Sequence, residues 1–217
     1  MRVPENPFPV GEENTVADLS APALVCTLTP SPAASSSELL AQHVLDELEH
    51  HGVSTASLRV VDQVVRPGVQ IDMGDGDEWP AIREKVLAAD ILVLATPIWM
   101  GHPSSVAQQV MERLDADLSE TDAQGRPIMY GKVATVAVVG NEDGAHKTIA
   151  DMMQGFNDIG FSLPAQGGTY WVGEAMQTVD FKDLPKVPDA VATANAGLAR
   201  NAAHLARLLR ASNYPAG

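Results

Sequence analysis

The sequence predicts a single doubly wound α/β domain built on a five-stranded parallel sheet. Short apolar runs, each the length of a buried strand, alternate with segments of helical periodicity along most of the 217 residues. Strict alternation of strand and helix requires parallel strands joined by right-handed crossovers. Each strand–loop–helix unit then places its loop at the carboxyl edge of the sheet, where such folds bind ligands.

The first unit begins with the nearly all-apolar run 23–28, the pattern of a strand that is covered on both faces. A loop rich in small residues follows, and Ser35 and Glu38 stand at the spacing of a capping box that opens a helix. Apolar residues then recur on one face at i, i+3, i+4 and i+7. Gly52 ends this helix, because glycine readily supplies the left-handed conformation at C′.

The same alternation continues through the rest of the chain. Short apolar runs indicate the remaining strands, and apolar residues at helical spacing indicate the helices between them. The remaining strands are predicted at 58–61, 91–95 and 133–139, with a fifth between 163 and 172. The remaining helices are predicted at 78–89, 104–118, 145–158 and 191–209.

Residues 1–22 lack this alternation. The segment contains four prolines, several acidic residues and little periodicity, so it offers a sheet few hydrogen-bond donors and a core little to bury. We interpret it as a flexible N-terminal arm that either is loosely attached or embraces a neighbouring subunit. Residues 23–217 then form a single domain, since no shift in composition marks a second one.

Composition and charge exclude several classes of function. With 14 Lys and Arg against 28 Asp and Glu, the net charge is −14, and a surface of that sign repels nucleic-acid phosphates. No apolar stretch approaches the ~18 residues of a membrane span, and the first residues lack the apolar core of a signal peptide. Cys26 is the only cysteine, which excludes an intramolecular disulfide. We therefore expect a cytoplasmic protein without a metal site, in which Cys26 is a small buried hydrophobe.

The loop after the first strand is a candidate anion site. Its hydroxyl-bearing residues Thr29, Ser35, Ser36 and Ser37 lie at a helix N-terminus, where unpaired N–H groups and the helix dipole favour negative charge. The loop contains neither glycine nor lysine, so it is neither a Gly-rich dinucleotide loop nor a P-loop. A phosphate site and ordinary helix capping by Ser35 in a flexible loop are equally consistent with these residues.

The loop after the third strand is a candidate site for a flat aromatic ligand. Its residues are Pro97, Ile98, Trp99, Met100 and Gly101. Proline fixes the backbone, Gly101 permits close approach or a positive φ, and the large apolar side chains offer surface to the face of a ring. The alternative is a rigid surface loop with Trp99 folded into the core.

The loop after the fourth strand places short polar residues between two glycines, which lets its backbone approach a ligand. Its candidate residues are Gly140, Asn141, Glu142, Asp143, Gly144 and His146. His146 either donates a hydrogen bond to a ligand oxygen or is simply solvated. Because the three loops share one edge of the predicted sheet, we expect a single site between them.

These loops resemble a known family, the NAD(P)H-dependent, FMN-binding oxidoreductases of flavodoxin-like fold. Residues 95–101 and the following helix, through Arg113, are similar to the flavin-ring loop of that family. Residues 125–132 and 140–144 are similar to it as well, in the same order. The resemblance covers residues 24–173 and does not include the arm or the final helix.

The resemblance implies the strand order 2-1-3-4-5 and the cofactor FMN, with its phosphate on the first loop and its ring between the second and third. It also implies NAD(P)H as co-substrate, a quinone, flavin or similar small-molecule acceptor, and a homodimer or homotetramer. The flavin carries the redox chemistry, so no side chain is nominated as catalytic. The first loop lacks the arginine or glycine often found in the family, which leaves Thr29, Ser35, Ser36 and Ser37 as the matching positions.

Two other functions compete with this one. A flavodoxin-type electron carrier would bind FMN without its own NAD(P)H reaction, and an acidic surface would suit basic redox partners. Such carriers usually have a short Thr/Ser-and-Gly phosphate loop, however, which residues 29–37 do not form. A phosphoacceptor receiver domain needs a carboxylate at the end of the first strand, and residues 26–29 contain none. The reductase is therefore the favoured hypothesis.

Overall fold

The computed structural model describes residues 19–175 and 177–216, so the predicted arm up to residue 18 lies outside the described residues. Within them, strands and helices alternate along the chain. The strands are β1 Leu19–Val25, β2 Val53–Arg59, β3 Ile91–Trp99, β4 His102–Pro103, β5 Val133–Gly140 and β6 Gly168–Val172. The helices are α1 Ser36–Glu49, α2 Trp79–Ala88, α3 Ser105–Leu114, α4 Ala145–Ile159 and α5 Asp189–Ala211.

The strands form one sheet in the order β2-β1-β3-β5-β6, in which neighbouring strands are parallel. The two-residue strand β4 is the exception, because it folds back on the end of β3 in antiparallel pairing. When β4 is set aside, this order is the predicted 2-1-3-4-5. The doubly wound α/β class is therefore confirmed.

Helices cover both faces of the sheet. α1 and α5 pack on one face, where Leu198 is fully buried, and α2, α3 and α4 pack on the other, where Phe156 is fully buried. Successive residues of β3 join different cores, since Val93 belongs to the first and Leu94 to the second. A strand with both faces buried has no solvent side, which is why residues 91–95 carry no polar side chain.

The sheet differs from the sequence prediction at its first two strands. β1 begins at Leu19, so residues 19–22, which the sequence pattern assigns to the arm, are strand residues that pair with β2. Pro22 is tolerated there because the pairing of β1 with β3 begins only at the next residue. β2 spans Val53–Arg59 instead of 58–61, because an edge strand with solvent-facing polar residues lacks the apolar run of a buried strand.

A buried ion pair holds the long connection between β2 and α2. The guanidinium of Arg113 on α3 is fully buried and lies over the ring of Trp79, 5.6 Å from its centroid. It pairs with the Asp77 carboxylate at 2.8 Å and donates to the backbone oxygens of Arg66 at 2.7 Å and Gln70 at 2.8 Å. One side chain thereby holds a part of this connection, residues 66–70, that lies outside any helix or strand.

Asp77→Asn is expected to lower the free energy of unfolding by about 3–5 kcal/mol, because the buried guanidinium loses its counter-charge. Burial raises the pKa of Asp77, but hydrogen bonds from Arg113 and from three backbone N–H groups outweigh it and bring that pKa to about 2. A depressed carboxyl pKa stabilises the fold above the ordinary pKa, about 4, and this contribution is lost as the pH falls toward the folded-state pKa. Urea unfolding at neutral and at falling pH measures both effects.

Asp158→Asn is the matched control for this change. Its exposed carboxylate accepts a hydrogen bond from the Gln154 amide, and its loss should alter the free energy of unfolding by less than about 0.5 kcal/mol. If Asp77→Asn is as stable as the parent chain, or keeps the same dependence on acid pH, the buried pair does not have the role described.

Candidate functional site

A cavity of about 280 Å³ lies at the carboxyl edge of the sheet, between the loops after β1, β3 and β5 and the segment between β6 and α5. The candidate residues from the sequence that line it are Thr29, Ser35, Ser36, Ser37, Pro97, Ile98, Trp99, Gly140, Asn141 and Glu142. The candidates outside its lining are Met100, Gly101, Asp143, Gly144 and His146. The lining residues not predicted as binding residues are Thr27, Leu28, Ala34, Val139, Trp171, Asp180, Phe181 and Lys182.

The first loop ends in the predicted N-cap of α1. The Ser35 hydroxyl accepts a hydrogen bond from the Glu38 N–H at 3.3 Å, which confirms one half of the capping box. The other half is wrong, because the Glu38 carboxylate instead pairs with the buried Arg59 guanidinium, at an Nε–Oε1 distance of 3.1 Å. Backbone N–H groups in the first turn of a helix have no carbonyl partner within it, and so they suit an anion.

Arg59, the last residue of β2, anchors the first loop. Its guanidinium donates to the backbone oxygens of Thr29 at 3.0 Å and Ala33 at 2.8 Å, in addition to its ion pair with Glu38. A buried cation thus holds the loop at two carbonyl groups, and the loop is more than a flexible cap. No local pattern marks Arg59 as part of the site, since it lies on a different strand from the loop that it contacts.

The second loop is a hairpin at the end of β3. β3 continues to Trp99, and β4 pairs back on it across the two-residue turn Met100-Gly101. Both turn residues have positive φ, +53° and +75°, as a type I′ hairpin turn requires. Trp99 is 55% exposed and lines the cavity, so the alternative in which it folds into the core is wrong.

Hydroxyl groups fasten this hairpin to the end of β1. The Ser104 hydroxyl, at the N-cap of α3, donates to the backbone oxygen of Cys26 at 2.6 Å. The Thr96 hydroxyl accepts a hydrogen bond from the Ser104 N–H at 3.0 Å. Cys26 is fully buried, as predicted, and burial raises the pKa of its thiol. Cys26 therefore contributes its backbone oxygen as a hydrogen-bond acceptor and its side chain as a small buried apolar group.

The third loop meets the hairpin at two glycines. A Cβ on Gly144 would lie 2.7 Å from the Cα of Gly101, so no larger residue fits there without displacement. The Glu142 carboxylate accepts a hydrogen bond from the Gly101 N–H at 3.2 Å. The close backbone approach is therefore at Gly144, since a Cβ on Gly101 would meet no atom nearer than 3.9 Å. His146 packs edge-on against Tyr170, with ring centroids 4.9 Å apart, and does not reach the cavity wall.

Residues 180–182, which we call the strap, connect the first and third loops. The Asn141 amide donates to Asp180 at 2.7 Å, and the backbone N–H of Lys182 donates to the Ser36 hydroxyl at 3.2 Å. The ammonium group of Lys182 donates to Asp180 at 2.6 Å, which lowers the pKa of Asp180 and raises the pKa of Lys182. Both side chains are therefore charged at neutral pH.

The strap was not predicted because it lies in a polar stretch with neither helical nor strand periodicity. The one feature of the sequence that could have indicated a buried segment here is Phe181, a large apolar residue among polar neighbours. It is buried and packs on Trp171, with ring centroids 5.6 Å apart. Only the tertiary contact shows that this residue brings its neighbours to the cavity.

The cavity thus combines an end suited to an anion with an aromatic wall. Hydroxyl and helix N–H groups cluster at the start of α1, while Trp99, Trp171 and Phe181 supply apolar surface. The carboxylates in the wall, Glu142 and Asp180, each accept a hydrogen bond from the chain itself. This arrangement suits a flat aromatic ligand that carries a phosphate.

Residues 24–177 match the protein family described as NADPH-dependent FMN reductase. The chain belongs to this family. The resemblance carried by the three loops is therefore confirmed, and the family is one of flavin enzymes whose cofactor is FMN.

The chain is similar to two curated proteins. It is 37% identical over 153 residues to the divalent metal cation transporter MntH of Mycobacterium bovis, a match that covers 69% of this chain and 22% of that protein. It is 34% identical over 167 residues to the 8-demethyl-8-aminoriboflavin-5′-phosphate synthase of Streptomyces davaonensis, covering 72% of this chain and 65% of that protein. The chain therefore spans less than two thirds of the length of either relative. No helix in residues 19–175 and 177–216 is long and apolar enough to cross a membrane.

A solved structure is similar over most of its length. The crystal structure of RosB with the bound intermediate 8-demethyl-8-formylriboflavin-5′-phosphate has a TM-score of 0.82 and 30% identity, over 90% of this chain and 82% of that one. The fold is the flavodoxin-like fold.

The residues in the cavity fit FMN. The first loop supplies hydroxyl groups and helix N–H groups for a phosphate, and Trp99 supplies exposed aromatic surface for a ring. Asn141 Oδ1 is a buried oxygen that has no hydrogen-bond partner among residues 19–175 and 177–216. An unpaired polar atom in a cavity wall is typical of a place that receives a ligand or a water molecule.

Gly144→Val is expected to weaken FMN binding at least tenfold, because its side chain would force the hairpin away from the third loop. Gly101→Asn should bind FMN nearly as the parent does, since asparagine tolerates positive φ and a Cβ has room there. Gly52→Ala, at the far end of α1, is the control. Gly52 also has a positive φ, so alanine is strained there as valine is at Gly144, but Gly52 does not line the cavity. Fluorescence titration with FMN measures all three, and unchanged affinity in Gly144→Val would show that the loop contact is dispensable.

Proposed function

We propose that this protein transfers a hydride from NAD(P)H through bound FMN to a quinone, a free flavin or a similar small-molecule acceptor. The observation that carries the proposal is the meeting of all three loops of the family resemblance around one cavity with an anion-binding end and an aromatic wall. Because NAD(P)H is an intracellular reductant, we also propose a cytoplasmic location.

In this mechanism the bound FMN would supply the hydride chemistry, and the role of the chain is to bind and orient the FMN. The start of α1 holds the phosphate through Ser36 and Ser37, with Arg59 fixing the loop from behind. Trp99 provides apolar surface, and the contact between Gly101 and Gly144 sets the spacing of the two loops beside the ring. No acid–base side chain is required for these tasks, and the proposal assigns none.

NADPH added without oxygen to the FMN-loaded protein is expected to bleach the visible flavin absorption, and later addition of a quinone or free FMN should restore it. Recovery with quinone alone or with flavin alone identifies the acceptor class. A flavin that stays oxidised with both NADPH and NADH contradicts the proposal and favours a flavodoxin-type electron carrier.

A second candidate is an enzyme that converts a riboflavin 5′-phosphate as its substrate. Two of the similar proteins favour this candidate. One is a synthase of an aminoriboflavin phosphate, and the other, RosB, was solved with a formylriboflavin phosphate intermediate. Mass spectrometry of the flavin after turnover separates the two candidates. A flavin of unchanged mass together with NADPH consumption supports the reductase, and a flavin of altered mass supports the converting enzyme.

We further propose a homodimer or homotetramer. Apolar side chains at and beside the cavity mouth are exposed, namely Leu28 at 45%, Trp99 at 55% and Met100 at 89%, and apolar patches of this kind mark interaction surfaces. Met100→Lys should shift the assembly toward monomer while Leu208→Lys, at an exposed apolar position on α5, should not. Sedimentation measures this, and a parent chain that is monomeric at micromolar concentration contradicts the proposal.

A further inference from the structure

The cavity has one cationic side chain in its lining. Among the described residues, Lys182 is the only lysine, arginine or histidine in the wall. The first loop contains neither lysine nor arginine, and the chain as a whole has a net charge of −14. The first loop therefore offers a phosphate dianion only neutral donors, and a counter-charge must come from another segment of the chain.

Lys182 is placed to supply that charge. Its backbone N–H donates to the Ser36 hydroxyl at 3.2 Å, so the residue is one hydrogen bond from the anion-binding end of the cavity. Its ammonium group donates to Asp180 at 2.6 Å and to Asp183 at 2.9 Å. An ammonium group has three donors, which leaves one for a ligand.

The backbone of the strap is held by packing and is not a loose surface chain. Phe181, the residue before Lys182, is buried between Trp171, at a ring-centroid distance of 5.6 Å, and His43, at 6.2 Å. The Lys182 side chain remains 28% exposed, so its ammonium group can reorient toward a ligand without unfolding the strap.

We propose that Lys182 binds the 5′-phosphate of the flavin and thereby makes the cavity select FMN over unphosphorylated riboflavin. This inference rests on flavin binding in the cavity, as in the proposed function. The strap takes over the task that a basic residue in the first loop would perform, and it adds a point charge to the neutral hydroxyl and N–H donors of α1. Asp180 and Asp183 hold the ammonium group near the site when no phosphate is present.

The test compares binding of FMN with binding of riboflavin, which differs by the phosphate alone. Lys182→Gln is expected to weaken FMN binding about tenfold, the loss of one partly screened charge-assisted contact, and to leave riboflavin binding unchanged. Lys182→Arg retains the charge and should keep most of the preference for FMN. Lys186→Gln changes an exposed lysine that pairs with Asp189 and does not line the cavity, so it is the matched control and should change neither affinity.

Equal losses for FMN and riboflavin in Lys182→Gln would overturn the inference, because they would mean that the lysine only supports the shape of the cavity. Unchanged FMN binding would overturn it as well. The parent chain gives an independent measurement: raised salt should weaken FMN binding and leave riboflavin binding unaffected, and an equal response of the two ligands counts against the lysine. A parent chain that selects FMN through Lys182 but does not oxidise NADPH supports this inference while the proposed function fails.

Discussion

Burial of both faces of the parallel sheet is the constraint on which the rest of the structure depends. β3 sends alternate side chains into two separate cores, so neither face of its central part is available for polar chemistry. Folds of this kind bind their ligands at the edge where the strands end. The adjacency of β1, β3 and β5 brings their loops together there, and Ser104 joins two of them through the backbone oxygen of Cys26.

Two irregular chain segments, the first loop and residues 66–70 before α2, are each held by one buried arginine. Arg59 takes its counter-charge from Glu38 and donates to carbonyl groups of the first loop, and Arg113 takes its counter-charge from Asp77 and donates to carbonyl groups of the connection before α2. A planar guanidinium has five donors in a fixed geometry, so one side chain can satisfy several backbone oxygens at once. The loops that lack a hydrogen-bonded ladder thus acquire fixed positions from side chains on neighbouring elements.

Sequence patterns correctly predicted those features that depend only on short segments of the chain. The run 91–95, the Ser35 cap and the turn glycine Gly101 were predictable, since burial, capping and positive φ are properties of short segments. The start of β1 was not predictable. A proline is tolerated in a strand only where no neighbouring strand needs its N–H, and the sequence does not show which strands are neighbours. The partner of Glu38 and the position of the strap also depend on tertiary contacts, which no spacing in the sequence records.

The acidic composition does not determine the potential inside the cavity. Glu142 accepts a hydrogen bond from the Gly101 N–H, and Asp180 accepts hydrogen bonds from Asn141 and Lys182, so each carboxylate is partly compensated by the chain. Donors that remain near the start of α1 are hydroxyl and backbone N–H groups, whose dipoles attract an anion over a short range. A protein with a net charge of −14 can therefore present donors that suit an anion at one edge of its sheet, because nearby donors act more strongly than distant charges that water and salt screen.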